Sequence, residues 1–161
     1  MLRIYSLCLI VLLVMASCST VYKNPTDMVV KIEIDEENEE VLNENVKMDL
    51  QSGYVFTSAE EVNTLIKNIN TEYDKGITQY EDSYFNDNYI ICICFKGAGA
   101  NYDQKIKKVK INNDKITVSV LLCNYDAIEI NIIYQYHFIE MPVRYTGQKI
   151  ELICEQGRGY S

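Results

Sequence analysis

The sequence predicts a mainly β protein, an antiparallel β-sandwich or strongly coiled sheet with one packed α-helix. Three observations lead there. Tyr89-Ile90-Ile91-Cys92-Ile93-Cys94-Phe95 is apolar at odd and even positions alike, the pattern of a strand covered on both faces. Residues 105–111 and 116–122 alternate apolar and polar side chains around the turn residues Asn112-Asn113-Asp114. Helical spacing marks one short segment, 59–69. An α+β roll uses the same elements and is the alternative.

The N-terminus comes first in order. Arg3 is the only charge before Lys23, and residues 4–15 are apolar apart from Tyr5, Ser6 and Cys8. This run is shorter than the ~20 residues of a membrane-spanning helix, and small residues follow it as they do before a signal-peptide cleavage site. Val14-Met15-Ala16-Ser17-Cys18-Ser19 resembles the lipobox of bacterial lipoproteins, although Met15 stands where that family most often has leucine. The resemblance implies cleavage after residue 17 and acylation of Cys18, palmitate included, as the first residue of the mature chain. An uncleaved anchor helix or an ordinary signal peptide is the reading without lipid.

The expected organisation is therefore a cleaved signal over 1–17, a lipidated tether and acidic spacer over 18–45, and a β-rich globular domain over 46–161. The remaining chain suits one domain. The signal removes one of 15 basic residues and none of 23 acidic ones, so the mature chain is more acidic than the −8 of the full sequence. Such a balance argues against nucleic-acid binding and against a polybasic hold on lipid. Membrane attachment is left to the acyl group. Residues 19–27, with Asn24-Pro25-Thr26, read as a short tether. Glu33, Asp35, Glu36, Glu37, Glu39, Glu40 and Glu44 crowd one stretch, where self-repulsion favours a solvated spacer. Calcium is the functional alternative, but the glycine and ligand spacing of an EF-hand are missing.

Within this frame 28–34 alternates as a strand, and 46–56 has room for another. Ser58-Ala59-Glu60-Glu61 is a capping box opening the helix, with Val62, Leu65, Ile66 and Ile69 as its buried stripe and Gly76 closing the region. After the strand at 89–95, Gly97-Ala98-Gly99-Ala100-Asn101 reads as a loop. The next strand carries Ile106, Val109 and Ile111, a spacing with one slip that a β-bulge absorbs. Ile116, Val118, Val120 and Leu122 form a clean repeat. Ile130, Ile132, Tyr134, Tyr136 and Phe138 share a face of the following strand; Pro142 interrupts, Thr146-Gly147-Gln148 turns, and Ile150, Leu152 and Cys154 make the last strand.

Residues 81–91, Glu81-Asp82-Ser83-Tyr84-Phe85-Asn86-Asp87-Asn88-Tyr89-Ile90-Ile91, followed by a small-residue loop and the strand leading to the Asn112 hairpin, carry a second resemblance. The stretch of roughly 80–140 is similar to the C-terminal domain of the protease-complex lipoprotein subunit PrcB. The likeness implies an extracytoplasmic β domain that supports other proteins and is not a catalyst. Relatives have paired glycines before an aromatic residue where this chain has Gly97, Ala98, Gly99, Ala100, Asn101 and Tyr102. That loop is the candidate contact with a protein partner, because loops on a rigid scaffold commonly carry recognition and tyrosine adds contact area at small entropic cost.

Chemistry-bearing groups are few. His137 is the only histidine, which excludes a multi-histidine metal site. Alternation puts it on the face of Gln135 and Ile139, half exposed among tyrosines. A Cys–His hydrolase is the least favoured function, since no nucleophile stands in a recognisable turn. The Gly97 loop lacks the Lys-Ser/Thr ending of a phosphate cradle. Cys92, Cys94, Cys123 and Cys154 sit in apolar strands, where buried thiols, one or two disulfides, or a metal are the readings. Any disulfide is expected to join Cys92 or Cys94 to Cys123 or Cys154, because Cys92 and Cys94 share a face at about 6.5 Å, near the limit for a bridge. No cofactor or metal is expected. The function that best suits these features is a lipid-anchored envelope protein that binds or stabilises a protein partner, non-catalytically; a small-molecule or glycan binder is the alternative.

Overall fold

The computed structural model describes residues 20–23, 26–34, 53–98, 103–112, 114–123 and 132–157. The strands are β1 (Thr20–Lys23), β2 (Thr26–Ile34), β3 (Tyr54–Phe56), β4 (Asn88–Ala98), β5 (Asp103–Ile111), β6 (Lys115–Cys123), β7 (Ile132–Pro142) and β8 (Lys149–Gln156), with helix α1 (Ala59–Tyr73) between β3 and β4. They form two four-stranded sheets, β1-β5-β6-β8 and β2-β7-β4-β3, in a mainly β architecture with one α-helix among the described residues.

The doubly apolar pattern of β4 dictates the layering. Its odd residues Tyr89, Ile91, Ile93 and Phe95 pack with Ile106, Val109, Ile116, Val118 and Val120 of the first sheet. Its even residues Ile90, Cys92 and Cys94 meet Val62, Leu65, Ile66 and Ile69 of α1. The second sheet is thus sandwiched between the first sheet and the helix. On β7, Tyr134, Tyr136 and Phe138 face the helix while Ile139 and Met141 face the first sheet. Fully buried side chains such as Ile66 and Phe138 each stabilise the fold by roughly 1.5–3 kcal/mol.

Local chemistry sets the element ends. Ser58 Oγ accepts from the Glu61 N–H at 3.3 Å, and the Glu61 carboxylate accepts from the Thr57 N–H at 3.1 Å, so the reciprocal half of the capping box lands one residue earlier than its usual partner. The helix runs to Tyr73, a turn beyond its apolar stripe, and Asp74 rather than Gly76 takes the left-handed cap at φ 47°. Asn63 and Asn70, two turns apart, then grip the returning chain. Each carboxamide donates to a carbonyl and accepts from the N–H of the same residue, Tyr80 for Asn63 and Ile77 for Asn70, with all four bonds at 2.8 Å. Tyr80, Tyr84 and Phe85 close that side as an aromatic cluster, with the Tyr84 ring centre 5.0 and 5.1 Å from the other two.

The expected slip in β5 is a bulge at Lys107, between the pairs Ile106–Val120 and Lys108–Ser119. Two findings differ from the expectation. First, β8 pairs with β6 in parallel, because the chain crosses to the second sheet as β7 before it returns. Second, residues read as tether, 19–27, include strand: Thr20–Lys23 pairs antiparallel with β5, and the strand expected at 28–34 is β2, which starts at Thr26 and pairs with β7. The chain thus leaves the first sheet after Lys23 and joins the second at Thr26. The described strands of the two sheets therefore begin at residue 20. The acidic stretch 35–44 lies outside the described residues.

Candidate interaction surface

The sequence-derived candidates are scattered by the fold. Cys18 lies outside the described residues, as do residues 99–102 of the candidate contact loop. Gly97 and Ala98 are not loop at all; they are the last residues of β4, paired with Ile133 and Ile132.

Cys92 and Cys94 project from β4 into the helix-facing core, while Cys154 is exposed on β8 of the other sheet. No disulfide joins Cys92, Cys94 and Cys154 to one another. Neither β4 thiol is bridged to Cys154, since both point away from the sheet that holds β8. The Cys123 side chain is outside the described residues. Burial, with the neighbouring Cys94 sulfur adding to it, pushes the Cys92 thiol well above its ordinary value, and burial pushes Cys94 up to about 12 despite a hydrogen bond with Tyr136. These thiols stay protonated and unreactive at neutral pH. Among the described residues no group of His, Cys, Asp and Glu is arranged to hold a metal.

His137 is buried between the sheets at 1% exposure, not half exposed among tyrosines, with its ring edge-on to Phe95 at 6.1 Å. The face assignment from alternation holds, but the first sheet covers that face. His137 and the Cys92–Cys94 pair therefore project from opposite faces of one sheet, and the sheet itself separates any such dyad. Beside His137, Gln135 bonds the main chain of Gln104 across the sandwich. Gln104 itself is 1% exposed, and neither polar atom of its carboxamide has a hydrogen-bond partner.

The surface that sequence reasoning missed lies along one side of the sandwich, where β3 ends one sheet and β8 ends the other. Gly53 ties these edges together: a Cβ there would stand 3.2 Å from Ile91 and 3.6 Å from Ile150 of β8. Tyr54 and Val55 on β3 and Ile153 on β8 are exposed at 40%, 42% and 44%. The signal was present in β8, where Ile153 is apolar at a position out of phase with the inward Ile150 and Leu152. On the outer face of β8 Ile153 stands between two carboxylates, and that face is otherwise polar: Lys115 pairs with Glu151 at 2.7 Å and Lys107 with Glu155 at 2.9 Å, and each lysine holds its carboxylate below the usual range. Comparison with known protein families, characterised proteins and solved structures finds nothing that matches the chain.

Proposed function

We propose that the protein is a membrane-anchored extracytoplasmic lipoprotein that binds or stabilises a protein partner without catalysing a reaction. Ala16-Ser17-Cys18 after a short apolar run supports the anchor. The resemblance of residues 80–140 to the PrcB C-terminal domain supports a role in serving other proteins. The observation that carries the binding reading is the β3 edge, where Tyr54 and Val55 stand in solvent on the outermost described strand of their sheet. Edge strands offer main-chain hydrogen bonds to a partner's extended segment, and flanking apolar side chains give the contact selectivity.

The test has two arms. Cys18→Ser abolishes acylation, read by intact mass, and moves the protein out of the acylated membrane fraction; unchanged acylation overturns the anchor. Val55→Glu weakens a partner cross-link formed in intact cells at least tenfold while thermal stability stays close to the parent. Undiminished cross-linking overturns the edge as the contact.

A small-molecule or glycan binder is the second reading, favoured by the orphaned carboxamide of Gln104 between the sheets. Gln104→Leu tells the two apart: it raises stability if the amide serves no ligand and abolishes saccharide or metabolite binding if it does.

A further inference from the structure

The proposed anchor and the first strand are nearly contiguous, which restricts how the domain meets the bilayer. We propose that the outer face of the first sheet, centred on the lysines of β5, lies against anionic phospholipid headgroups; this rests on the acylation of Cys18 proposed above.

Ser19 alone separates Cys18 from Thr20, and Thr20 is already paired with Ile111. Two residues of extended chain reach about 7 Å, which is within the Debye length of roughly 8 Å at physiological ionic strength. No slack is left for the domain to stand clear of the surface. β1 borders β5, one strand spacing of about 4.8 Å away, with Lys108 opposite Lys23 and Lys110 opposite Val21.

The side chains on that face are arranged by distance from the anchor. Lys105, Lys107 and Lys108 are exposed on β5 and Lys110 is half-buried. Beside them on β6, Thr117 and Ser119 are short and buried. The carboxylates Glu151 and Glu155 stand on β8, three strand spacings or about 14 Å from β1, and both are engaged by lysines. Asp103 and Asp114 bound the β5–β6 hairpin region at its ends. The helix side is acidic on balance, with Glu60, Glu61, Asp74, Glu81 and Asp82 exposed against Lys67 and Lys75.

An anionic surface thus attracts the strand next to the anchor and repels the opposite layer. The acyl group supplies affinity, and the lysine face sets the orientation. The net negative charge of the chain conceals this, because the positive charge is gathered where the chain is tied down.

The chain has no tryptophan, so an introduced one is a lone reporter. The full-length protein, purified from bacterial membranes, is reconstituted as Ile153→Trp, on the outer sheet face, or Lys67→Trp, exposed on the helix. Quenching by headgroup-spin-labelled lipid is read in phosphatidylcholine vesicles with and without phosphatidylglycerol. Ile153→Trp is quenched at least about twofold more than Lys67→Trp when phosphatidylglycerol is present, and the difference vanishes in pure phosphatidylcholine or in molar salt. Adding Lys105→Glu, Lys108→Glu and Lys110→Glu also removes it; the salt series on the parent makes the result independent of whether that variant folds. Equal quenching of both reporters in an acylated protein overturns the orientation alone. Absence of the acyl mass on Cys18 overturns the anchor and the orientation with it.

Discussion

The Gln135 carboxamide meets both main-chain groups of Gln104, donating to its carbonyl at 2.9 Å and accepting from its N–H at 3.2 Å. A side chain of one sheet thereby completes the hydrogen-bond ladder of the other. In an antiparallel strand the N–H and C=O of one residue point to the same edge. Among the described residues β1 pairs with β5 only as far as Lys23, opposite Lys108. Gln135 pairs the main chain at Gln104, where unpaired buried backbone is costly.

Gln135→Leu therefore leaves a buried donor and acceptor of Gln104 unpaired, at a cost of about 2–5 kcal/mol in urea unfolding. Gln135→Glu keeps shape and acceptor, and it keeps an O–H donor only while its carboxyl is protonated. It is also destabilising, and increasingly so as pH rises and the buried carboxyl is forced to ionise. A loss below about 0.5 kcal/mol for Gln135→Leu refutes the tie.

Asn63 and Asn70 are expected to behave as paired clips. Asn63→Asp and Asn70→Asp each keep the acceptor for the N–H of Tyr80 or Ile77 and lose the donor to its carbonyl. Each costs about 1–2 kcal/mol, and amide exchange at residues 77–80 accelerates while the centre of β4 stays protected. Uniform acceleration across the domain argues instead for global unfolding.

The cysteines separate by reactivity. Maleimide labels Cys154 in the native protein, and Cys92 and Cys94 react only in denaturant; mass mapping of labelled peptides checks this. Alkaline pH follows from the same burial. With Cys94 held at about 12 against an ordinary 9.0, and Cys92 shifted the same way, the folded state binds more protons than the unfolded one above pH 9. Tyr89, pushed by burial up to about 12 from 10.0, adds to this from pH 10. Stability is unaffected by these groups below pH 9 and falls as pH rises from there towards 12, by about 1.4 kcal/mol per pH unit for each group. Cys94→Ala flattens the slope between pH 9 and 11 by one group.

Deleting Lys107 removes the bulged residue and restores strict alternation between Ile106 and Val109. The shortened chain keeps its circular dichroism spectrum and cooperative unfolding, and it loses the Lys107–Glu155 ion pair, which is exposed and weak. Deleting Lys108 instead leaves the same count but puts Lys107 in the ladder, and it gives the same fold. Deleting Val109 takes a buried core residue and unfolds the protein.

Much of this architecture was legible because it repeats locally. The two-faced apolar pattern of Tyr89–Phe95 located the central strand, and the spacing of Ile106, Val109 and Ile111 located the bulge. What escaped was non-local. The parallel pairing of β8 with β6 depends on where β7 goes, and no residue in either strand announces it. Thr20–Lys23 is too short and polar to read as a strand until β5 is there to pair with it. Burial of His137 follows from the neighbouring sheet and not from its own strand. The Gln135–Gln104 tie joins residues that look like ordinary polar positions. The β3–β8 edge was visible only at Ile153, as a break in phase.

The placement of β1 and β8 at the two outer edges of one sheet has a kinetic consequence. Of the described strands the first to emerge, β1, waits for β5, some ninety residues downstream, and β8 is needed to complete the same sheet. A chain emerging N-terminus first can assemble α1 and its returning segment early, but it cannot close the sandwich until β8 is free. Long-range pairing of this kind is slow. The edge of β6 that β8 finally covers is open throughout synthesis, which makes that interval the time at which a holding partner has most to protect.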